Sequence, residues 1–196
     1  MPFMKFITVI KLLMSAGLVT VLTIGCLARS EVMDVTTVDQ YEQALDLFPG
    51  DSGQIEKGLE RFAEAFADLT ANDIAGKFES LYADSLYFND TIHAFHARED
   101  LVAYMSRIGS SLTESHVDIK QVIRDGNDVF VRWTMEFRTR AAGRDIHSHS
   151  IGMTHLRFDV DGRVVLHQDF WDSGNALYAH LPFVGFAVKR ARSAMQ

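Results

Sequence analysis

Cysteine is almost missing: the 196 residues hold one, Cys26. A lone cysteine cannot close an internal disulfide, and no Cys/His metal-ligand spacing can be built on it. Basic charge is scarce as well, with 19 Lys plus Arg against 26 Asp plus Glu. Lys5 and Lys11 are the only charged residues up to Cys26, so the formal net charge of −7 becomes −9 beyond it. That balance offers no basic face to a phosphate backbone, and no nucleic-acid partner is expected. There is no internal repeat, no low-complexity block and no cofactor motif. What is plentiful is apolar surface: 47% of the residues are hydrophobic, enough to build a core, and the length suits one domain with appendages.

The amino terminus reads as an address. Lys5 and Lys11 precede an uncharged, mostly apolar stretch from Leu12 to Ile24, which ends at Gly25-Cys26. A charged start, a short apolar run and a small residue before the break mark a secretory signal. As a helix the run reaches about 20 Å, short of the ~30 Å hydrocarbon core. Counting back to Phe6, with Lys11 inside, gives a length that spans. Leu22-Thr23-Ile24-Gly25-Cys26 resembles a bacterial lipoprotein box, with Thr23 where the family carries Leu, Val or Ile. The resemblance implies cleavage before Cys26 and lipidation of its thiol. Uncleaved anchoring and ordinary cleavage remain alternatives. Each of the first two places the domain outside the cytoplasm, in the cell envelope, held at a membrane through its amino terminus. Residues 27–53 are polar and read as a linker, with a short helix around Val38–Leu47.

From Gln54 the pattern changes. Ile55, Leu59, Phe62, Phe66 and Leu69 recur at helical spacing, with Ser52 placed to cap the start. A second helix fits Asn72–Leu81 and a third Arg98–Leu112, separated by an extended segment, Ser85–Asp90. After Ser115 the period falls to two. Strands are expected at Val117–Ile123, Asp128–Arg140, Arg144–Asp159 and Arg163–Trp171, with Asp125-Gly126-Asn127-Asp128 and Asp161-Gly162 as hairpin turns. Helices followed by long hairpin strands predict an α+β fold: a curved antiparallel sheet with three N-terminal helices on its concave face, shaped as a cone-like barrel whose open end is a pocket. This domain spans 54–174. The tail, 175–196, is apolar and then basic, and reads either as a lid or as a membrane contact.

Leu81-Tyr82-Ala83-Asp84 with Phe88-Asn89-Asp90, and later Thr154–Phe158 with Val164–Asp172, resemble the SnoaL-like superfamily of nuclear-transport-factor-2-like folds. That superfamily includes polyketide cyclases and ketosteroid isomerases. Its isomerases use an aspartate after the first strand as base, which Asp90 matches. Their oxyanion donors, a tyrosine and a protonated aspartate, are replaced by the phenylalanines of the first helix and by Thr154. The cyclases use an aspartate on a late strand, and Asp169 stands in a comparable place.

Alternation sets His167, Asp169 and Trp171 on one face of the last strand, which the resemblance implies is the pocket face, and by the same logic Ser148, Ser150, Gly152, Thr154, Leu156 and Phe158 face inward on the strand before it. An Asp beside a His in an aromatic cavity suits proton transfer. Asp169, His167 and Asp90 are therefore the candidate catalytic groups. Trp171, Thr154, Ser150, Phe158, Phe62 and Phe66 are the candidate ligand contacts. The bland readings stand beside these: Asp169 and His167 satisfying each other, Asp90 capping its own turn, and Asp172 capping the segment that follows. His147, His149 and His155 fall on the outer face, where two histidines on one strand without a third ligand make a poor metal site. The resemblance implies a homodimer contact on that face. Two functions remain open. One is cofactor-free isomerase, cyclase or hydratase chemistry on a small hydrophobic molecule. The other is a ligand carrier or dimeric assembly domain without turnover.

Overall fold

The apolar residues at helical spacing from Ile55 onward do form a helix, and the period-two segments after it do form strands. The computed structural model describes residues 35–141, 143–181 and 184–195. The expected signal or anchor at residues 1–26, with Cys26, lies outside these. Among the described residues no helix is long and apolar enough to cross a membrane. By internal contacts, the residues from Ala44 onward form a compact unit of their own, and it carries the site. Helix α1 spans Val35–Leu47, α2 Ile55–Ala67 and α3 Ile74–Leu81. Strand β1 (Tyr82–Asn89) and the short β2 (Ala94–Ala97) lead to α4 (Arg98–Ser111). Strands β3 (Leu112–Asp125), β4 (Asp128–Ala141), β5 (Arg144–Phe158) and β6 (Val164–Trp171) follow. The tail is α5 (Ser173–Ala176), a 3₁₀ turn (Tyr178–His180) and α6 (Val184–Ala194).

The fold is α+β as expected, with helices on one face of a curved sheet. The six strands lie in the order β2-β1-β6-β5-β4-β3, and the sheet does not close. Every pairing is antiparallel except β1 with β6, which is parallel. Strand β6 comes back from the β5 hairpin and slots against β1, so the last strand lies beside the first. Register shifts in β1, β3 and β6 mark bulges, which bend the strands around the helices.

The concave side is the core. Phe62, Phe78, Leu81, Leu101, Val129, Val131, Leu156 and Phe158 are all buried there. Helix α2 lies close on β5: a Cβ added at Gly58 would stand 2.3 Å from the Phe158 ring. Ser52 does not cap this helix; Gln54 takes the cap position, and Asp51 Oδ1 accepts from Gly53 N at 2.7 Å instead. Two residues of slip suffice to move a cap, because the turn before the helix satisfies its own amides.

On the convex side one carboxylate gathers three segments. Asp128 Oδ1 accepts from Arg157 Nε at 2.5 Å and from His155 Nε2 at 2.6 Å. Arg157 Nη1 donates in turn to the carbonyls of Leu45 (2.7 Å) and Phe48 (3.0 Å). Asp51 N donates to Phe158 O at 2.7 Å. Residues 45–51, which fall within the expected linker, are thus strapped to the sheet. His155 is outward by alternation, yet it is only 2% exposed, with its ring stacked on Phe130 at 4.5 Å. Parity assigns a face; it does not say whether that face is covered.

Burial pushes the Asp128 carboxyl up, but Arg157 and His155 pull it down further, to below its ordinary 3.8. Burial lowers His155 below 6.5 against the pull of Asp128. Both folded values lie under the unfolded ones, so both contributions are lost as pH falls. Stability should decline from about pH 6.5 through His155, and again below about pH 4 through Asp128. Asp128→Asn should cost about 1–3 kcal/mol near neutrality and much less below pH 3.8, read by urea unfolding across pH. At α2, helix propensity favours Gly58→Ala by about 1 kcal/mol. Overpacking against Phe158 should win, and the variant should unfold about 1–3 kcal/mol more easily in the same assay.

Candidate functional site

Strand alternation on the concave face and the apolar sides of α2 and α4 enclose a cavity of about 380 Å³. That is the size of a small-molecule site. Phe62 and Phe66 come from α2, Tyr104 from α4, Trp133 from β4, Thr154 from β5, and Asp169 and Trp171 from β6. Asp90 enters from the turn after β1, and Leu177 from the tail. The walls are mostly aromatic and aliphatic, and the polar groups are few.

Asp169 is held by one oxygen. Its Oδ1 accepts from Thr154 Oγ1 at 2.5 Å and lies 3.1 Å from His167 Nε2. Thr154 Oγ1 accepts from the Trp133 indole at 2.8 Å, which turns its proton toward the carboxylate. His167 Nδ1 is 2.8 Å from the Tyr82 hydroxyl. Burial first, then the charges of Asp169 and Asp90, push the Tyr82 phenol far above its ordinary range. Tyr82 therefore keeps its proton and donates to Nδ1, and Nε2–H donates to Asp169. Oδ2 of Asp169 has no protein hydrogen bond among the described residues and is not sealed from the cavity. One oxygen is anchored and the other is presented.

His167 itself does not line the cavity. It is 1% exposed and walled by Phe62, Phe66, Tyr82 and Phe88, the last at 4.5 Å between ring centroids. It positions Asp169 from behind. Two candidate contacts fall elsewhere. Ser150 turns its short side chain to the carbonyl of Met135 (3.4 Å), and Met135 and Phe137 form the wall there. Phe158 is fully buried under α2 at the end of its strand. Alternation identifies the inner face, but not which stretch of that face stays uncovered.

Asp90 does both things its position allowed. Oδ1 caps the turn, accepting from Ile92 N (2.8 Å) and His93 N (2.7 Å), while Oδ2 accepts from Tyr104 at 2.5 Å. Its carbonyl accepts from the Trp171 indole at 2.8 Å. Burial, the bond to Asp90 and the charges of Asp90 and Asp169 push the Tyr104 phenol well up, so it remains a donor. Thr91 sits at φ 72°, a left-handed conformation that is costly for a β-branched residue. The bond from Thr91 N to Asn89 Oδ1 at 2.7 Å helps to hold this strained turn. Asp172 caps α5 as expected, accepting from Asn175 N at 2.9 Å.

Tyr104 and Trp133 are central to the site, and the resemblance pointed to neither. Trp133 lies on the inward parity of β4, and Tyr104 adjoins Met105 on the buried side of α4; both were legible as core, not as function. Outside the cavity, His147 pairs with Glu136 at 2.5 Å on the convex face. Among the described residues no three His, Cys, Asp or Glu side chains gather as metal ligands.

Comparison with known proteins agrees with this fold. Similar solved structures include an LEH-like epoxide hydrolase from M. tuberculosis, 16% identical, with a TM-score of 0.51 over 71% of this chain and 92% of that one. A protein of ketosteroid isomerase-like fold from Catenulispora acidiphila DSM 44928, in complex with trimethylamine, is 18% identical, with a TM-score of 0.52 over 61% and 88%. A protein described as a SnoaL-like polyketide cyclase from Shewanella denitrificans OS-217 is 16% identical, with a TM-score of 0.52 over 71% and 98%. At these identities the likeness establishes the fold alone. No curated protein matches the chain. The model of the SnoaL-like domain matches residues 59–167, more than half of the sequence, and the chain belongs to that family.

Proposed function

We propose that the domain binds a small, largely apolar molecule and moves a proton on it without a cofactor, with Asp169 as the base. The observation that carries this is the unequal use of the two Asp169 oxygens. Thr154 and His167 anchor Oδ1, and Oδ2 faces an apolar space. A carboxylate held this way takes a proton from a bound carbon acid and returns it to the same or another atom. Isomerisation and ring closure share that step. Donors for the resulting oxyanion are few: Trp133, Trp171, Tyr104 and Thr154 are all committed to protein acceptors. A site short of donors suits a carbon acid whose enolate is stable by itself, such as one flanked by two carbonyls.

The test is deuterium uptake by a bicyclic β-keto ester in D₂O, followed by NMR. The protein should accelerate exchange above the buffer rate. Asp169→Asn should lower that acceleration at least about 100-fold. Binding, read by quenching of Trp133 and Trp171, should remain. Binding without exchange in the unaltered protein would remove the base and leave a carrier.

We further propose that a lipid on Cys26 tethers the domain to a membrane. The support is the lipoprotein-like run ending at Cys26. Labelling with an alkynyl fatty acid should mark the protein and fail with Cys26→Ser, which should move to the soluble fraction. A mature start away from Cys26 would refute it.

A further inference from the structure

The cavity lining holds two carboxylates, Asp90 and Asp169, and no lysine or arginine. The histidine in the lining, His93, is exposed and marks the mouth. Arg107, whose charge reaches Tyr104, is exposed and outside the lining. Every protein partner of the two carboxylates is a hydrogen-bond donor that carries no permanent charge: a threonine hydroxyl and an imidazole at Asp169, two backbone amides and a phenol at Asp90. Two carboxylates facing one apolar space without a counter-ion are costly. A cation in the cavity removes that cost.

The two acids differ in their surroundings. Asp169 stands against Thr154 and the buried imidazole. Asp90 stands among ring faces. Tyr104 bonds its Oδ2, and the Trp171 indole bonds its carbonyl. The His93 ring packs on Tyr104 at 4.8 Å, with Phe95 at 4.9 Å from the same ring. A carboxylate rimmed by aromatic rings attracts an ammonium group through both its charge and the ring quadrupoles. Oδ2 of Asp90 carries one protein bond and retains an acceptor position.

We propose that the ligand carries a protonated amine or quaternary ammonium group, seated at Asp90 against Tyr104, with its apolar body running toward Phe62 and Phe66. This rests on the cavity binding a small apolar molecule, and it assigns that molecule's charged end. Asp169 stays free for proton transfer.

The test compares phenylbutylamine, phenylbutanol and phenylbutyrate on the full chain by calorimetry. The amine should bind at least about 10-fold tighter than the alcohol, and the acid more weakly than either. Asp90→Asn keeps an Oδ1 acceptor for the two turn amides. It should bring the amine-to-alcohol ratio near one and spare the alcohol. Asp169→Asn, the second variant should the first fail to fold, should leave most of the preference in place. Equal binding of amine and alcohol to the unaltered protein overturns the proposal while leaving the cavity reading intact. A preference that survives in folded Asp90→Asn, or vanishes in Asp169→Asn, overturns the assignment to Asp90. Failure of all three probes to bind overturns both readings.

Discussion

A carboxylate inside an aromatic cavity is tolerated only when hydrogen bonds replace its lost water. The arrangement around Asp169 follows from that constraint. Thr154 is turned toward it by the Trp133 indole, and His167 is turned toward it by the Tyr82 hydroxyl. Four donor side chains on four neighbouring strands form two relays that converge on Asp169. Tyr82 opens β1 directly after α3, Trp133 lies on β4, Thr154 on β5, and His167 with Asp169 on β6. The β4-β5-β6 register lines these up: Thr154 is opposite Asp169 on one side and Val131 on the other, and Gly152 lies opposite both Trp133 and Trp171. Gly152 has no Cβ for a reason, since one would stand 2.3 Å from the Trp133 ring. The network that orients the charge is also the packing of the sheet.

Asp90 answers the same constraint in a different way. It spends one oxygen on its own turn and the other on Tyr104. The turn is strained at Thr91, and strain of that kind persists only where the surroundings hold it. Here Asn89, Asp90 and the Trp171 indole hold it together. The parallel pairing of β1 with β6 matters for this, because it brings the end of the first strand beside the end of the last. Without that pairing, Trp171 would not reach the Asp90 carbonyl, and the two carboxylates would not share a cavity.

Periods of 3.6 and two, and glycine-bearing turns at Gly126 and Gly162, made the helices and hairpins of the domain legible, along with the inward faces of β4, β5 and β6. Spacing and the family resemblance together made candidates of Asp90, Asp169, Thr154, Trp171, Phe62 and Phe66, and all six line the cavity. The misses share one cause. Ser150, Phe158 and His167 lie on the expected face, but neighbouring side chains or helix α2 cover them. His155 lies on the outer face and is buried all the same. Tyr104 and Trp133 read as core because a one-dimensional pattern does not separate a residue that fills the core from one that walls a hole in it.

The sequence alone determined which elements form and which way their side chains alternate, because both follow from local spacing along one chain. It also determined the acid excess and the short list of groups able to move a proton. The tertiary structure decided the rest. It chose which oxygen of Asp169 is anchored, put His167 behind the wall instead of in it, set Asp90 against Tyr104, and left no lysine or arginine in the lining. Those outcomes depend on contacts between residues far apart in the chain, such as Tyr82 with His167 and Trp133 with Thr154. No local pattern encodes a distance between strands, and hydrogen bonds exist only at such distances.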